Sequence, residues 1–88
     1  MIEKRYIIHA PDGLHARPAT ALVKLTKQFR SHIFIKKEEA LVNLNSLLNI
    51  LSLGMKGGDT LTLLIDGEDE TNAAEALDRF FMEQMQNL

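Results

Sequence analysis

Apolar residues recur along the chain at two spacings, which divide it into seven predicted elements. Alternation and β-branched residues, typical of strands, mark four segments, at residues 5–10, 32–37, 40–44 and 60–66. Steps of three and four residues, typical of a helix with one buried face, mark the other three. In the first helix this stripe consists of Ala19, Leu22, Val23, Thr26 and Phe29.

The second and third helices carry start and stop signals. Ser46 is a suitable N-cap and Gly54 a suitable stop for the short segment SLLNILSLG. Acidic residues at 68–70 suit the positive N-terminus of the last helix. Its predicted buried face consists of Ala73, Leu77, Phe80 and Phe81.

The resulting order, β-α-β-β-α-β-α, predicts an α+β fold. Four strands with helices between them favour an open-faced sandwich, in which a mostly antiparallel four-stranded sheet carries three helices on one face. Residues 11–13, PDG, predict the first turn, whereas the hairpin turn at 37–39 lacks the Gly or Asn that tight turns favour. Neither a linker nor a repeat interrupts the chain, so we expect residues 1–88 to form a single domain.

Composition narrows the classes of function. A chain of 88 residues has room for only a modest core, so its function is expected on its surface. A net charge of −2 disfavours nucleic-acid binding, and the absence of cysteine excludes disulfides and thiolate metal sites. We find neither a signal peptide nor a membrane span in the sequence, and we therefore expect a cytoplasmic protein without membrane insertion.

The segment GLHARPA predicts a reactive site at the start of the first helix. Pro18 is tolerated only in a first turn, which sets the helix start at about residues 15–17 and makes His15 the N-cap. The free amides of Ala16 and Arg17, the helix dipole and the Arg17 guanidinium then favour an anion. A positive environment keeps the imidazole neutral and nucleophilic, which suggests a phosphorylatable histidine. The alternative is an ordinary capping or surface histidine.

The other two histidines lack this arrangement. His9 and His32 are predicted on or beside strands, without a Pro, Gly or Arg placed around them as at His15. The three histidines show neither ligand spacing nor an acidic second shell. We therefore expect neither a metal site nor a cofactor.

Three segments resemble the HPr family, the histidine-containing phosphocarriers of the bacterial sugar phosphotransferase system. APDGLHARPATALVK resembles the family's active-site segment, VNLNSLLNILSLG the regulatory-serine segment of Gram-positive members, and DGEDETNAAEAL the start of their last helix. The resemblance implies the HPr fold and a stoichiometric carrier rather than an enzyme. His15 would accept a phosphoryl group from phosphoenolpyruvate-charged enzyme I on its ring δ nitrogen and pass it to sugar-permease A domains. Arg17 and the Ala16 amide would hold the phosphoryl group.

Ser46 has an ordinary explanation as a helix cap. The resemblance adds regulation, because the matching serine of Gram-positive HPr proteins is phosphorylated by the ATP-dependent HPr kinase/phosphorylase. The modified protein then acts with the catabolite control protein as a corepressor. Phosphorylation would place a charge of about −2 on the surface and change which partners are attracted.

Two neighbouring features predict a docking surface. The first helix carries polar and basic side chains on one face: Arg17, Thr20, Lys24 and Lys27. In the second helix Ile50 and Leu53 are expected to face the core with Leu44, which leaves three leucines partly exposed: Leu47, Leu48 and Leu51. The alternatives are a merely solvated basic face and a more buried second helix.

Two residues near Ser46 depart from the family pattern. Asn45 stands where a basic residue is common, and Asn49 stands where Gram-positive members usually have Gly.

The sequence leaves three hypotheses: a working phosphocarrier, a regulatory HPr-like protein acting mainly through Ser46, and a small anion-binding module without phosphoryl chemistry. His15 favours the first, because the regulatory paralogues typically lack the active-site histidine.

Overall fold

The computed structural model describes residues 1–9 and 16–85. Within these ranges the chain forms four strands, three α-helices and one π-helical turn, in the predicted order. They are β1 (Ile2–Ile7), α1 (Ala16–Thr26), β2 (His32–Lys37), β3 (Ala40–Asn43), α2 (Leu47–Ser52), β4 (Thr60–Asp66), α3 (Glu70–Phe80) and the π turn (Phe81–Met85). The turn predicted at 11–13 and His15 lie outside the described residues.

The four strands form one antiparallel sheet in the order β1-β4-β2-β3. Ile65 of the central strand β4 lies between Ile2 on one side and Ile33 on the other. Alternate side chains of β2 and β4 are buried with helical side chains in one core, while their neighbours Phe34 and Leu64 on the other face are partly exposed. The helices therefore cover one face of the sheet, and the predicted open-faced sandwich is confirmed.

The first strand begins earlier than predicted. We expected a strand at residues 5–10, but β1 spans Ile2–Ile7, and residue 10 lies outside the described residues. The ladder to β4 runs from Ile2 opposite Ile65 to Ile7 opposite Thr60, so the partner strand decides the length of β1. Local β propensity missed residues 2–4, two of which are charged, because only alternate positions of β1 are half-buried.

The predicted helical faces are largely confirmed. In α1 the residues predicted to face the core are buried, except Phe29, which follows the helix and is half-buried: Ala19, Leu22, Val23 and Thr26. Ala73, Leu77, Phe80 and Phe81 are buried as predicted. The Tyr6 hydroxyl donates a 2.7 Å hydrogen bond to Asp78, and its ring stacks on Phe81 at 4.5 Å, which fastens β1 to the C-terminal helix.

The hairpin turn between β2 and β3 shows the consequence of its unusual sequence. Lys37 pairs with Ala40 across a loop of two residues, Glu38 and Glu39. Glu38 has φ 56°, in the left-handed region that favours glycine or asparagine. The pairing of the two strands thus holds a glutamate in a backbone conformation that it rarely adopts.

The acidic residues lie at the start of α3 as expected, with Asp69 at the N-cap and Glu70 in the first turn, but the Asp69 carboxylate bonds outside the helix. The Asp69 side chain makes no capping hydrogen bond to its own helix. Its carboxylate instead accepts hydrogen bonds from the Ser31 hydroxyl (2.5 Å), the Ser31 amide (2.9 Å) and the Arg30 amide (2.8 Å). Gly67 (φ 156°) lies so close to this junction that a Cβ there would be 2.6 Å from the Ser31 Cα. The junction joins the start of β2 to the start of α3.

We predict that Asp69 makes the fold sensitive to acid. The Ser31 hydroxyl and the Arg30 amide lower the pKa of Asp69, because they donate hydrogen bonds to the ionised carboxylate. The unfolded chain then takes up the proton at a higher pH, near 4, than the folded chain does. The stabilisation is therefore complete above about pH 5 and is lost as the pH falls through the folded-state pKa.

Asp69→Asn should lower the melting temperature at pH 7. The difference in melting temperature between this variant and the native protein should shrink at pH 3. The control is Glu75→Gln, which removes an exposed carboxylate from α3. Thermal unfolding followed by circular dichroism at both pH values measures the effect. An Asp69→Asn difference that is equally large at both pH values would contradict the role given to this carboxylate.

Candidate functional site

The described part of the first predicted site begins at Ala16, the first residue of α1. This start agrees with the helix boundary predicted from Pro18, which lies in the first turn, where its missing amide costs no helical hydrogen bond. Pro18 and Ala19 are buried, whereas Arg17 between Ala16 and Pro18 is exposed. His15, predicted as the N-cap and phosphoryl acceptor, lies outside the described residues, directly before this turn.

The polar face of α1 is exposed as its spacing predicted. Arg17, Thr20, Lys24 and Lys27 are exposed, while Leu22 and Val23 on the opposite side are buried. These side chains are three or four positions apart, so they lie on one side of the helix. The first turn of α1 contains no acidic residue to offset Arg17. This face therefore presents positive charge to the solvent.

Ser46 occupies the predicted N-cap position of α2. It has the extended backbone of a capping residue (φ −133°, ψ 127°), and its hydroxyl oxygen accepts a hydrogen bond of 3.3 Å from the Asn49 amide. The side chain is half-buried. The capping role inferred from the sequence is confirmed, and the regulatory role stays a prediction.

The apolar side chains of α2 divide between the core and the surface. Ile50 and Leu44 are fully buried, and Leu53 and Leu47 are half-buried against the core. Leu48 is 78% exposed and Leu51 39% exposed. The helix packs against α1, the helix that carries the basic face. The combination of an apolar patch and flanking cations is typical of a transient docking surface.

Sequence reasoning missed the polar contacts that fasten both ends of α2. At its start the Asn49 side-chain amide donates to the Asn43 carbonyl (3.2 Å), and the Asn43 side chain accepts from the Asn45 amide (3.0 Å). At its end the Lys37 ammonium donates to the Gly54 carbonyl (3.0 Å) and pairs with Asp59 (3.1 Å). The three asparagines of the segment VNLNSLLN were the sequence signal that could have indicated the contacts at the start of α2.

Two surface clefts lie among the described residues, and both are open to the solvent. The larger cleft, of about 470 Å³, lies on the open face of the sheet, where Arg5, Lys36 and Thr62 line it. A smaller one, of about 190 Å³, lies between the end of α1 and the β3–α2 connection, beside Lys27 and Asn45. Neither cleft is lined by Arg17 or Ser46.

No group of three or more His, Asp or Glu side chains in residues 1–9 and 16–85 is placed to hold a metal ion. Over the same part of the chain, every helix is too short or too polar to cross a bilayer.

Comparison with known proteins identifies the family. Residues 2–83 match the family model PTS-HPr, described as the PTS HPr component phosphorylation site. The chain belongs to the HPr family. A phosphocarrier protein HPr from Lysinibacillus sphaericus is 42% identical over 77 residues, which cover 88% of each chain. An HPr-like protein Crh from Halalkalibacterium halodurans is 41% identical over 80 residues, 91% of this chain and 95% of the relative.

Solved HPr structures share the fold. The crystal structure of HPr from Thermoanaerobacter tengcongensis has a TM-score of 0.90 and 35% identity, and the match covers 100% of this chain and 98% of that one. The resemblance inferred from three sequence segments is therefore confirmed over residues 2–83. Because the relatives include both a phosphocarrier and an HPr-like protein, family membership leaves both phosphoryl carriage and regulation as candidate roles.

We predict that truncating a buried side chain of α2 lowers the free energy of unfolding much more than truncating an exposed one. Ile50→Ala should lower the free energy of unfolding by roughly 2–5 kcal/mol, because it leaves a cavity in the core. Leu48→Ala should change it by less than about 0.5 kcal/mol, since this side chain is already in solvent. Urea unfolding of both variants measures the difference. Equal losses would show that Leu48 is buried and is not available to a partner.

Proposed function

We propose that this HPr-family protein is a working phosphocarrier that accepts a phosphoryl group on His15 from phosphorylated enzyme I and passes it to sugar-permease A domains. The observation that carries the proposal is the exposed Arg17 in the first turn of an α1 that begins at Ala16, directly after His15. A guanidinium in that position is a charge-assisted, bidentate partner for a phosphoryl group on His15, two residues before it.

The transfer is a simple displacement at phosphorus. The lone pair of the neutral His15 ring nitrogen forms the new N–P bond, while the bond between phosphorus and enzyme I breaks and its electron pair stays on enzyme I. Arg17 and the first amides of α1 offset the charge that the carrier gains. An exposed arginine holds the phosphoryl group only modestly, which a carrier requires, since a tight clamp would oppose the next transfer.

The exposed surface supports short-lived encounters with both donor and acceptors. Lys24 and Lys27 lie along α1 beyond Arg17, and Leu48 and Leu51 lie on the neighbouring α2. Cations steer acidic partners and speed association, while a small apolar patch adds limited affinity. Thr20 and the half-buried Leu47 complete the proposed docking surface. The proposal requires a cytosolic protein, because phosphoenolpyruvate and ATP are supplied there.

Ser46 is proposed as a regulatory site that an ATP-dependent HPr kinase/phosphorylase modifies, with the catabolite control protein as partner of the phosphorylated form. Its half-exposed hydroxyl lies at the edge of the docking surface, beside the exposed Leu48. Two negative charges there would repel acidic partners of α1 and attract basic ones. The similarity to HPr-like Crh proteins favours a second candidate, in which this regulation is the main function.

We predict phosphoryl transfer to His15 alone. Incubation with phosphoenolpyruvate and enzyme I should add the mass of one phosphoryl group, in an acid-labile and base-stable form. His15→Ala should abolish the gain, and His9→Ala should retain it. Arg17→Ala should slow transfer roughly 10- to 100-fold, the range expected for the loss of a charged hydrogen bond.

Arg5→Ala is the matched control, since Arg5 is an exposed arginine on the open face of the sheet. Mass spectrometry over time gives the rates. Complete absence of transfer to the native protein would overturn the carrier function and leave the regulatory candidate or a simple anion-binding module. Transfer of a phosphoryl group to His15→Ala would overturn the assignment of His15 as the acceptor.

We predict that ATP and HPr kinase/phosphorylase add one acid-stable phosphoryl group at Ser46. Ser46→Ala should abolish this gain. Ser52→Ala is the control on the same helix, because the Ser52 hydroxyl is exposed and donates only to the Asn49 carbonyl of α2. Circular dichroism verifies that both variants are folded. Modification of Ser52, or none, would contradict the proposed regulation.

A further inference from the structure

We infer that Asn49 is a positioning residue for the modification of Ser46, through its side-chain hydrogen bond to the Asn43 carbonyl. This inference rests on the proposed regulatory function of Ser46. It concerns which residue of this chain makes the serine a good substrate for an ATP-dependent protein kinase.

Hydrogen bonds connect Ser46 both to the rest of α2, where the Ile50 amide donates to the Ser46 carbonyl (3.2 Å), and through Asn49 to the end of β3. The Asn49 backbone amide donates to the Ser46 hydroxyl oxygen (3.3 Å), and the Asn49 side-chain amide donates to the Asn43 carbonyl (3.2 Å). The Asn43 side chain in turn accepts from the Asn45 amide (3.0 Å). One side chain, that of Asn49, therefore connects the end of β3 to the turn of helix that holds the serine.

This connection matters because few contacts keep the first turn of α2 wound. The helix has six residues, too few to be stable by itself. Its single fully buried residue, Ile50, closes the first turn at its far end, and Leu48 contributes almost nothing to the core because it is 78% exposed. Residues 46–49 are thus attached mainly by polar contacts and by the half-buried Leu47.

A wound first turn fixes where the Ser46 hydroxyl lies relative to the exposed leucines beside it. A kinase that docks on this surface binds only molecules in which the turn is formed, so fraying raises the apparent dissociation constant in inverse proportion to the fraction of molecules that keep the turn. Once the turn is formed in the complex, the chemical step is unchanged. Asn49 therefore acts on the Michaelis constant and not on the turnover number.

The opposite end of the same helix provides a matched control. The Lys37 ammonium donates to the Leu53 carbonyl (3.4 Å) and the Gly54 carbonyl (3.0 Å) and pairs with Asp59. Lys37→Gln releases this end of α2 and leaves every hydrogen bond of the Ser46 segment in place. A merely structural role of Asn49 would give Asn49→Ala and Lys37→Gln the same kinetics.

The experiment measures the kinetics of Ser46 phosphorylation by ATP and HPr kinase/phosphorylase for the native protein, Asn49→Ala and Lys37→Gln. Asn49→Ala should raise KM for the protein substrate roughly three- to five-fold with kcat unchanged, as expected for the loss of one neutral hydrogen bond. Lys37→Gln should leave both constants within about two-fold of native. Amide hydrogen exchange should show faster exchange at residues 49 and 50 in Asn49→Ala only.

Each result has a separate meaning. An unchanged KM in Asn49→Ala, or an equal rise in Lys37→Gln, overturns the inference while the regulatory function stands. Native protein that is not phosphorylated at all overturns the regulatory function and the inference together. Unchanged amide exchange at residues 49 and 50 overturns the inference on structural grounds, whatever the kinase does.

Discussion

The structure depends on one apolar layer between the sheet and its helices, and β4 is at the centre of that layer. Leu61, Leu63 and Ile65 are fully buried, and β4 pairs with β1 on one side and β2 on the other. Because a strand in this position fixes the register of both neighbours, a shift of one residue would turn its whole buried set to the solvent. The helices pack on this layer, so the positions of the α1 and α2 N-termini follow from it.

The two helices on the proposed functional side are held in different ways. The eleven residues of α1 are anchored through a continuous buried stripe, so its polar face is presented on a rigid support. The six residues of α2 are anchored by Ile50 and by polar contacts at both ends, to Asn43 and to Lys37. A rigid support suits the groups that handle a phosphoryl group, and a more weakly held helix suits a site whose state is changed by modification.

The exposed cations and leucines are distinct from the carboxylates that hold the fold together. Positive side chains are exposed on α1 and two leucines on α2, while the carboxylates of Asp69 and Glu70 accept hydrogen bonds at the start of α3. The pKa of Asp69 is lowered by hydrogen bonds from the Ser31 hydroxyl and the Arg30 amide, which makes that junction a structural contact. The net charge of −2 thus conceals a cationic face suited to acidic partners.

The sequence by itself determined the order of elements, the buried faces of α1 and α3, the start of α1 just before Pro18 and the Ser46 cap. These features are local, because periodicity, proline and capping chemistry act within one or two turns of chain. Tertiary structure decided the extent of β1, which its partner β4 sets, and the left-handed Glu38, which strand pairing imposes. It also decided the contacts of Asn49 and Lys37, since a hydrogen bond between two elements depends on their packing, which no local pattern encodes.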